Sequence, residues 1–390
     1  MVKININELV LSEKEYLIKM RREFHKNPEK SWHEYETSKR VKEELDKMGI
    51  AYQSCTETGI TALIEGGEEG KTAALRADMD ALEIEEETCL EFKSENEGLM
   101  HACGHDGHTA MLLTAAKALM KIKEELKGDV KLIFQPAEEM VAGARKMVNL
   151  GVLEGVDAVF GLHLWSDLKA GKINIEAGPR MASGDYVLID FKGKGGHGSL
   201  PHQTVDSIPA ASSFIINSQA VISRESSPLD PVVFTIGQID SGTRFNIIPS
   251  KAHLEGTLRC FSEESREKSS EAIKRYAEKI AESFRAEADV EVKKGTPPTI
   301  NNSEITEYAQ KAAAEIVGSS SLISMEKTTG SEDMAYYLRE VPGAFAFVGA
   351  GFEEEEKNYP HHHPKFNLNE ESLIIGAALY FNFVLEYLQE

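Results

Sequence analysis

The chain has 390 residues, of which 41% are hydrophobic and 27% charged, the balance of a soluble globular protein and neither a fibrous nor a membrane composition. At roughly 100–200 residues per domain this length predicts about two to three domains with ample apolar surface to bury, and it excludes disorder. The 64 acidic side chains outnumber the 43 basic ones, for a net charge of −21. So acidic a surface repels phosphate backbones and anionic lipid, and neither nucleic acid nor membrane is expected as a partner. Four cysteines, Cys55, Cys89, Cys103 and Cys260, are too few for a disulfide framework and point to a reducing, cytoplasmic compartment. The opening residues lack the basic and apolar regions of a signal peptide, and no apolar run reaches the ~18 residues that span a bilayer.

From the first residues to about 180, short apolar runs alternate with longer amphipathic stretches, the pattern of an α/β sheet covered by helices. Three runs lead into polar chemistry. Residues 72–76 precede Asp78 and Asp80, residues 130–134 precede Gln135-Pro136-Ala137-Glu138-Glu139, and residues 156–162 precede His163. After one strand an acidic residue simply opens a loop. Three such ends predict a shared site, because ligands in open α/β sheets sit beyond the carboxyl ends of the strands.

The rhythm changes after about 182. Strands at 186–191, 232–239, 252–260 and 290–292 and helices at 206–224 and 265–285 give the order β-α-β-β-α-β, a ferredoxin-like unit. Helices resume at 303–317 and 332–339, with a strand at 344–348 and a last helix at 370–388. The expected organisation is therefore a discontinuous α/β domain, 1–181 with 296–390, and an inserted ferredoxin-like domain, 182–295. Gly193-Lys194-Gly195-Gly196-His197-Gly198 matches the dinucleotide fingerprint in letters only. Pro201 interrupts the required helix and no acidic residue ends a second strand, so the loop reads as a glycine hinge presenting His197.

The densest chemistry is Met100-His101-Ala102-Cys103-Gly104-His105-Asp106-Gly107-His108, followed by a helix-forming stretch from 109. A thiolate and an imidazole two residues apart can meet one metal ion if glycines permit the turn. His101 and His108 read as packing groups or as supports of the ligands. Adjacent residues leaving a strand diverge, so of Glu138 and Glu139 one can bind metal while the other faces a water, the division that metal-assisted hydrolysis needs. His361, His362 and His363 form a short metal-binding tract, of which one should reach a site. The acidic runs 85–87 and 353–356 read as solvated surface.

Taken with Arg21-Arg22-Glu23-Phe24-His25, Leu75-Arg76-Ala77-Asp78-Met79-Asp80, Gly196-His197-Gly198-Ser199, Asn246-Ile247-Ile248-Pro249 and His362-x-Pro364-x-Phe366, these motifs resemble the M20 metallopeptidase family in its aminoacylase, hippurate and auxin-conjugate hydrolase branch. The resemblance runs nearly end to end. It implies a two-metal site held by Cys103, His105, Glu139, His163 and His362, with Glu138 as general base. His362 is preferred because the family's ligand stands two residues before the proline, although His363 replaces the family's serine. Glu83 likewise stands where the family has proline. The resemblance further implies His197 as oxyanion donor, Asn246 and Arg259 as substrate contacts, Asp80 as a support for the ligands, and a homodimer through the small domain. The expected reaction is hydrolysis of an N-acyl amino acid with two divalent ions of zinc, manganese, cobalt or nickel. A dipeptidase or carboxypeptidase with the same site is the nearest alternative, and a Cys103 thiol hydrolase or a metal-binding scaffold are further ones.

Overall fold

In the computed structural model, which describes residues 4–389, the apolar runs of the first half become strands of one mixed sheet. These are β1 (Ala51–Ser54), β2 (Ile60–Ile64), β3 (Glu68–Asp78), β4 (Lys127–Gln135), β5 (Ala158–Lys169) and β6 (Ile173–Asn174), joined by a late strand, Gly343–Gly351. Their order is β1-β2-β4-β3-β5-late-β6. The four central strands run parallel, and the late strand is buried at every position, as parallel strands covered on both faces must be. Because β3 lies between β4 and β5, with Asp78 opposite Gln135, the three polar strand exits come together. β5 does not stop at His163 as expected. It runs on to Lys169 because the late strand pairs alongside, Phe347 opposite His163.

Helices cover the sheet. In Lys14–Lys26 the buried Leu17, Met20 and Phe24 recur at spacings of three and four, one stripe of an amphipathic helix. Tyr35–Met48 stops at Gly49, whose φ of 70° suits a residue without Cβ. His105–Met120 and Glu371–Leu388 are buried on nearly every face. The last of these is long and apolar enough to cross a membrane by length and composition, which corrects the reading that no stretch reaches bilayer length. It is a core helix: 78% of it is buried, and Phe383 stacks on Phe160 with ring centroids 4.4 Å apart.

A second compact unit comprises Pro179–Thr299 and Lys327–Glu332. Its strands β7 (Gly184–Lys192), β8 (Val232–Ser241), β9 (Lys251–Cys260) and β10 (Glu287–Thr296) form an antiparallel sheet in the order β8-β9-β7-β10. Helix Ser207–Asn217, capped by Asp206, and helix Glu263–Ser283, capped by Ser262, bury Phe214 and Ile273 against Val187, Ile189, Phe191 and Leu254. The element order is β-α-β-β-α-β. Residues 179–181, 296–299 and 327–332 belong to this unit, beyond the bounds drawn from sequence. The 193–198 loop, read from sequence as a glycine hinge, is paired and closely packed within the smaller unit. Gly196–His197 pairs with Ile247–Ile248, and a Cβ on Gly193 would lie 2.1 Å from the Val205 carbonyl oxygen.

One ion pair holds the smaller unit together from inside. Arg266 donates from Nε to Asp185 Oδ2 at 2.8 Å, with both side chains almost wholly buried. Removing one partner strands a buried charge, so Asp185→Ala is expected to destabilise this unit by about 3–5 kcal/mol, and adding Arg266→Met should recover most of that loss. Thermal unfolding of the two variants checks this, and a single mutant as stable as the parent would contradict it.

Candidate metal centre

Residues 100–108 are half loop and half helix. Met100 and Leu82 exchange two backbone hydrogen bonds of 3.0 Å, Gly104 turns the chain at φ 92°, and the helix opens at His105, four residues before its expected start. That turn needs glycine, because φ there is one that L side chains rarely adopt. Gly107 serves packing, since a Cβ on it would lie 2.6 Å from Leu164 Cδ1. Cys103 thus sits on the loop, while His105 and His108 share one face of the first helical turn.

Five of the expected side chains converge. Cys103 Sγ lies 3.5 Å from His163 Nε2. Glu139 Oε1 lies 4.0 Å from His105 Nε2 and 3.5 Å from His362 Nε2. The potential donor atoms of Cys103, His105 and His163 fall within 4.8 Å of one another, as do those of Cys103, Glu139 and His362 and those of His105, Glu138 and Glu139. His105 Nδ1 is 2.9 Å from the Asp80 carbonyl and His163 Nδ1 is 2.7 Å from that of Leu164. A carbonyl only accepts, so each Nδ1 carries a proton, and in the neutral ring the lone pair falls on Nε2.

The buried His105 Nε2 and Glu139 Oε1 make no hydrogen bond among the described residues, which is uncommon unless an ion or water completes them. Nor do the side chains balance one another electrostatically. Burial, reinforced by the Glu139 charge, pushes the Cys103 thiol well up. Burial raises Glu139 to about 7 and holds His163 well below the usual imidazole range. His105 is raised because Asp78 and its other anionic neighbours outweigh burial. A divalent cation would displace the protons held on Cys103, Glu139 and His105 and meet His163 already neutral, so the donor set fits metal.

Around the five lies a shell of oriented groups. Asp80 Oδ1 accepts the Glu138 N–H and Oδ2 accepts that of Glu139, both at 3.1 Å, while Ser31 donates to Oδ2 at 2.6 Å. Asp80 therefore supports the neighbouring groups. Asp78, given no role from sequence, bonds His108 Nδ1 at 2.6 Å, and His108 Nε2 accepts the Leu164 N–H at 2.9 Å. With both nitrogens taken, His108 holds β5 beside His163. Arg76, fully buried, donates to Asp78, Gln135 and Asp333 at 2.8 Å each. An arginine inside an apolar strand run was the available signal for this network, since a buried guanidinium needs carboxylates. Asp106 pairs with Arg21 at 2.9 Å and His25 at 2.7 Å. Glu86, expected at the solvated surface, is buried facing His25 and accepting the Ser94 N–H at 2.6 Å.

Of the three late histidines, His362 turns its ring toward Glu139 from a backbone φ of 64°. His361 Nε2 accepts the Ser166 N–H at 3.2 Å and His363 Nδ1 accepts that of Lys365 at 3.0 Å. His197, Asn246 and Arg259 belong to the smaller unit. His197 Nδ1 accepts the Ser199 N–H at 3.1 Å, which leaves the proton of the neutral ring on Nε2. The Asn246 carbonyl accepts the Gly198 N–H at 2.9 Å and its side chain is exposed. Arg259 is half-buried on β9, opposite Val233.

A profile for peptidase family M20/M25/M40 matches residues 74–386. The N-acetylcysteine deacetylase of Bacillus subtilis (strain 168) is 42% identical over 94% of this chain and 94% of its own. Thermostable carboxypeptidase 2 of Saccharolobus solfataricus is 40% identical over 96% of this chain and 95% of its own. The Bacillus subtilis YXEP protein, described as a dinuclear metal binding peptidase from the M20 family, superposes with a TM-score of 0.87 at 38% identity, covering 97% of this chain and 99% of that one. Sheet, donor set and relatives together define a metal-dependent hydrolase of amide bonds, and support two divalent metals. Within that class the chain belongs to peptidase family M20/M25/M40.

Metal loading should fall in acid. Glu139 holds its proton up to about 7 without a cation, so metal and proton compete as pH drops through that value, and thiolate and imidazole add to the effect. Elemental analysis after equilibration at pH 8, 6 and 5 should show progressive loss. Constant occupancy across that range would contradict this donor set.

Proposed function

We propose that the protein removes the acyl group from N-acyl amino acids, with Cys103, His105, Glu139, His163 and His362 holding two divalent ions and Glu138 serving as general base. The reading is carried by one observation: Glu138 and Glu139 leave β4 side by side with their amides on one buried carboxylate, so one can join the donors while the other faces the reacting water. The ions, when bound, supply Lewis-acid polarisation of the acyl oxygen and a more acidic water. Glu138 accepts the proton of the attacking water and delivers it to the leaving amine. His197 donates from Nε2 to the developing oxyanion. Asn246 and Arg259 contact the substrate, Arg259 holding its carboxylate through a forked guanidinium.

Thiolate with imidazoles suits zinc, and the carboxylate admits manganese, cobalt or nickel. The four cysteines are all free, which supports a reducing, cytoplasmic setting. A homodimer through the smaller unit is supported by its edge strand β8, which exposes Val233 and Ile239, and by Ile208 and Ile216 exposed on helix Ser207–Asn217. The carboxypeptidase name of one relative at 40% identity favours a second reading, cleavage of short peptides by the same centre.

Glu138→Ala is expected to keep both metals while kcat falls at least ~10²-fold, and His197→Ala to lose about 10²-fold with metal unchanged. Elemental analysis beside steady-state kinetics reads both. A fully active Glu138→Ala enzyme would sink the assignment. Higher kcat/KM for dipeptides than for N-acetyl or N-benzoyl amino acids would promote the peptidase reading.

A further inference from the structure

Three consecutive backbone N–H groups of the loop bearing the proposed base are taken up by two buried carboxylates. Ala137 donates to Glu34 Oε1 at 2.9 Å, and Glu138 and Glu139 donate to the two oxygens of Asp80. Asp80 is part of the shell already described. Glu34 comes from the far N-terminal side of the chain, just before helix Tyr35–Met48, and its side chain is completely buried. Its Oε1 also accepts the Trp32 N–H at 2.9 Å, and its Oε2 accepts the Thr58 hydroxyl at 2.8 Å.

Both residues whose N–H groups share Glu34 Oε1 have an unusual backbone. Ala137 has φ 52° and Trp32 φ 67°, in the left-handed region that residues with a Cβ rarely enter. The same carboxylate oxygen bonds the N–H of both. On its other side the loop closes on itself, Val141 N–H on the Glu138 carbonyl at 2.6 Å and Gly143 N–H on the Ala137 carbonyl at 3.1 Å. A strained residue persists only where its surroundings hold it. If Ala137 relaxed to the right-handed region, the peptide joining it to Glu138 would rotate, and the Glu138 side chain would swing with it.

We propose that Glu34 is a positioning residue for the general base: its carboxylate holds Ala137 in the left-handed conformation and so aims Glu138 at the reacting water. The proposal rests on the reading of Glu138 as base. A purely structural Glu34 would change stability and metal retention but not turnover per loaded site.

The test uses the metal-loaded full chain and an N-acetyl amino acid, with kcat, KM, metal content and melting temperature measured for each variant. Glu34→Gln keeps an acceptor oxygen for the two N–H groups, and Thr58 can accept from its amide, so kcat within threefold of the parent is expected. Glu34→Asp withdraws the carboxylate by one methylene. Its kcat should fall about 10²-fold, the scale of a 1 Å misplacement, with KM within twofold and both metals retained. A Glu34→Asp enzyme with parental kcat, or one whose loss tracks loss of metal, overturns the proposal. If Glu34→Asp does not fold, Thr58→Val decides, since it frees Oε2: a severalfold lower kcat at full metal content supports the proposal and an unchanged kcat overturns it. Glu138→Ala run in parallel separates the two ideas. If it is active, base and positioning both fail, whereas an inactive Glu138→Ala beside a parental Glu34→Asp removes the positioning role alone.

Discussion

A carboxylate taken out of water stays charged only where hydrogen-bond donors surround it, and the arrangement of the centre follows from how Asp80 meets that requirement. Burial alone would raise its pKa, yet the His105 imidazole, the Ser31 hydroxyl and the Glu139 N–H hold it below the usual carboxylate range. The carboxylate's donors come from different parts of the chain, Ser31 from the first fifty residues and Glu138 and Glu139 from the exit of β4, while His105, at the start of a helix, bonds the Asp80 carbonyl and lies 3.4 Å from Oδ1. Satisfying one buried anion therefore fixes a helix end and a loop relative to the end of β3. The placing of the potential donor atoms follows from hydrogen-bond completion.

How much of this could be read without coordinates depended on sequence distance. Strand exits were legible because each apolar run is short and ends in a carboxylate or imidazole within a few residues. The cluster from Cys103 to His108 was legible because its members adjoin. The extension of β5 past His163 was not, because it requires the late strand some 180 residues further on (Phe347 against His163). The helix start at His105 turned on the left-handed Gly104, which a pattern of apolar residues does not register. Glu86 looked like one acid in a solvated run until His25 and the Ser94 amide were brought to it. Periodicity reports what a residue's own element does, and says little about partners supplied by another.

Arg76 shows the same limit and adds an energetic question. Its partner Asp333 lies 257 residues away, and the pair is buried where an apolar pair of similar volume would often be as stable. What the charged network does instead is directional. The guanidinium joins β3 to Gln135 on β4 and to Asp333, and Asp333 in turn accepts the Ala144 N–H at 3.0 Å. The 136–143 loop is thus held at its far end by Asp333 and at its near end by Glu34 and Asp80. Hydrophobic packing would fill that space without specifying the orientation of a peptide.

Hydrogen-bond accounting also explains why so many imidazoles leave so few nitrogens to offer. His25 faces a carboxylate at each nitrogen, His108 spends one on Asp78 and the other on an amide, and His361 gives Nε2 to Ser166. Among the described residues neither nitrogen of His101 has a hydrogen-bond partner, and burial lowers its pKa to about 4, so it packs as a neutral ring. In His105 and His163 the Nδ1 proton is pinned by a main-chain carbonyl. A carbonyl cannot return a proton, and so the neutral form of each ring has its lone pair on Nε2 through the backbone geometry itself; at His105, where anionic neighbours favour a second proton, the ion must displace that proton to reach it.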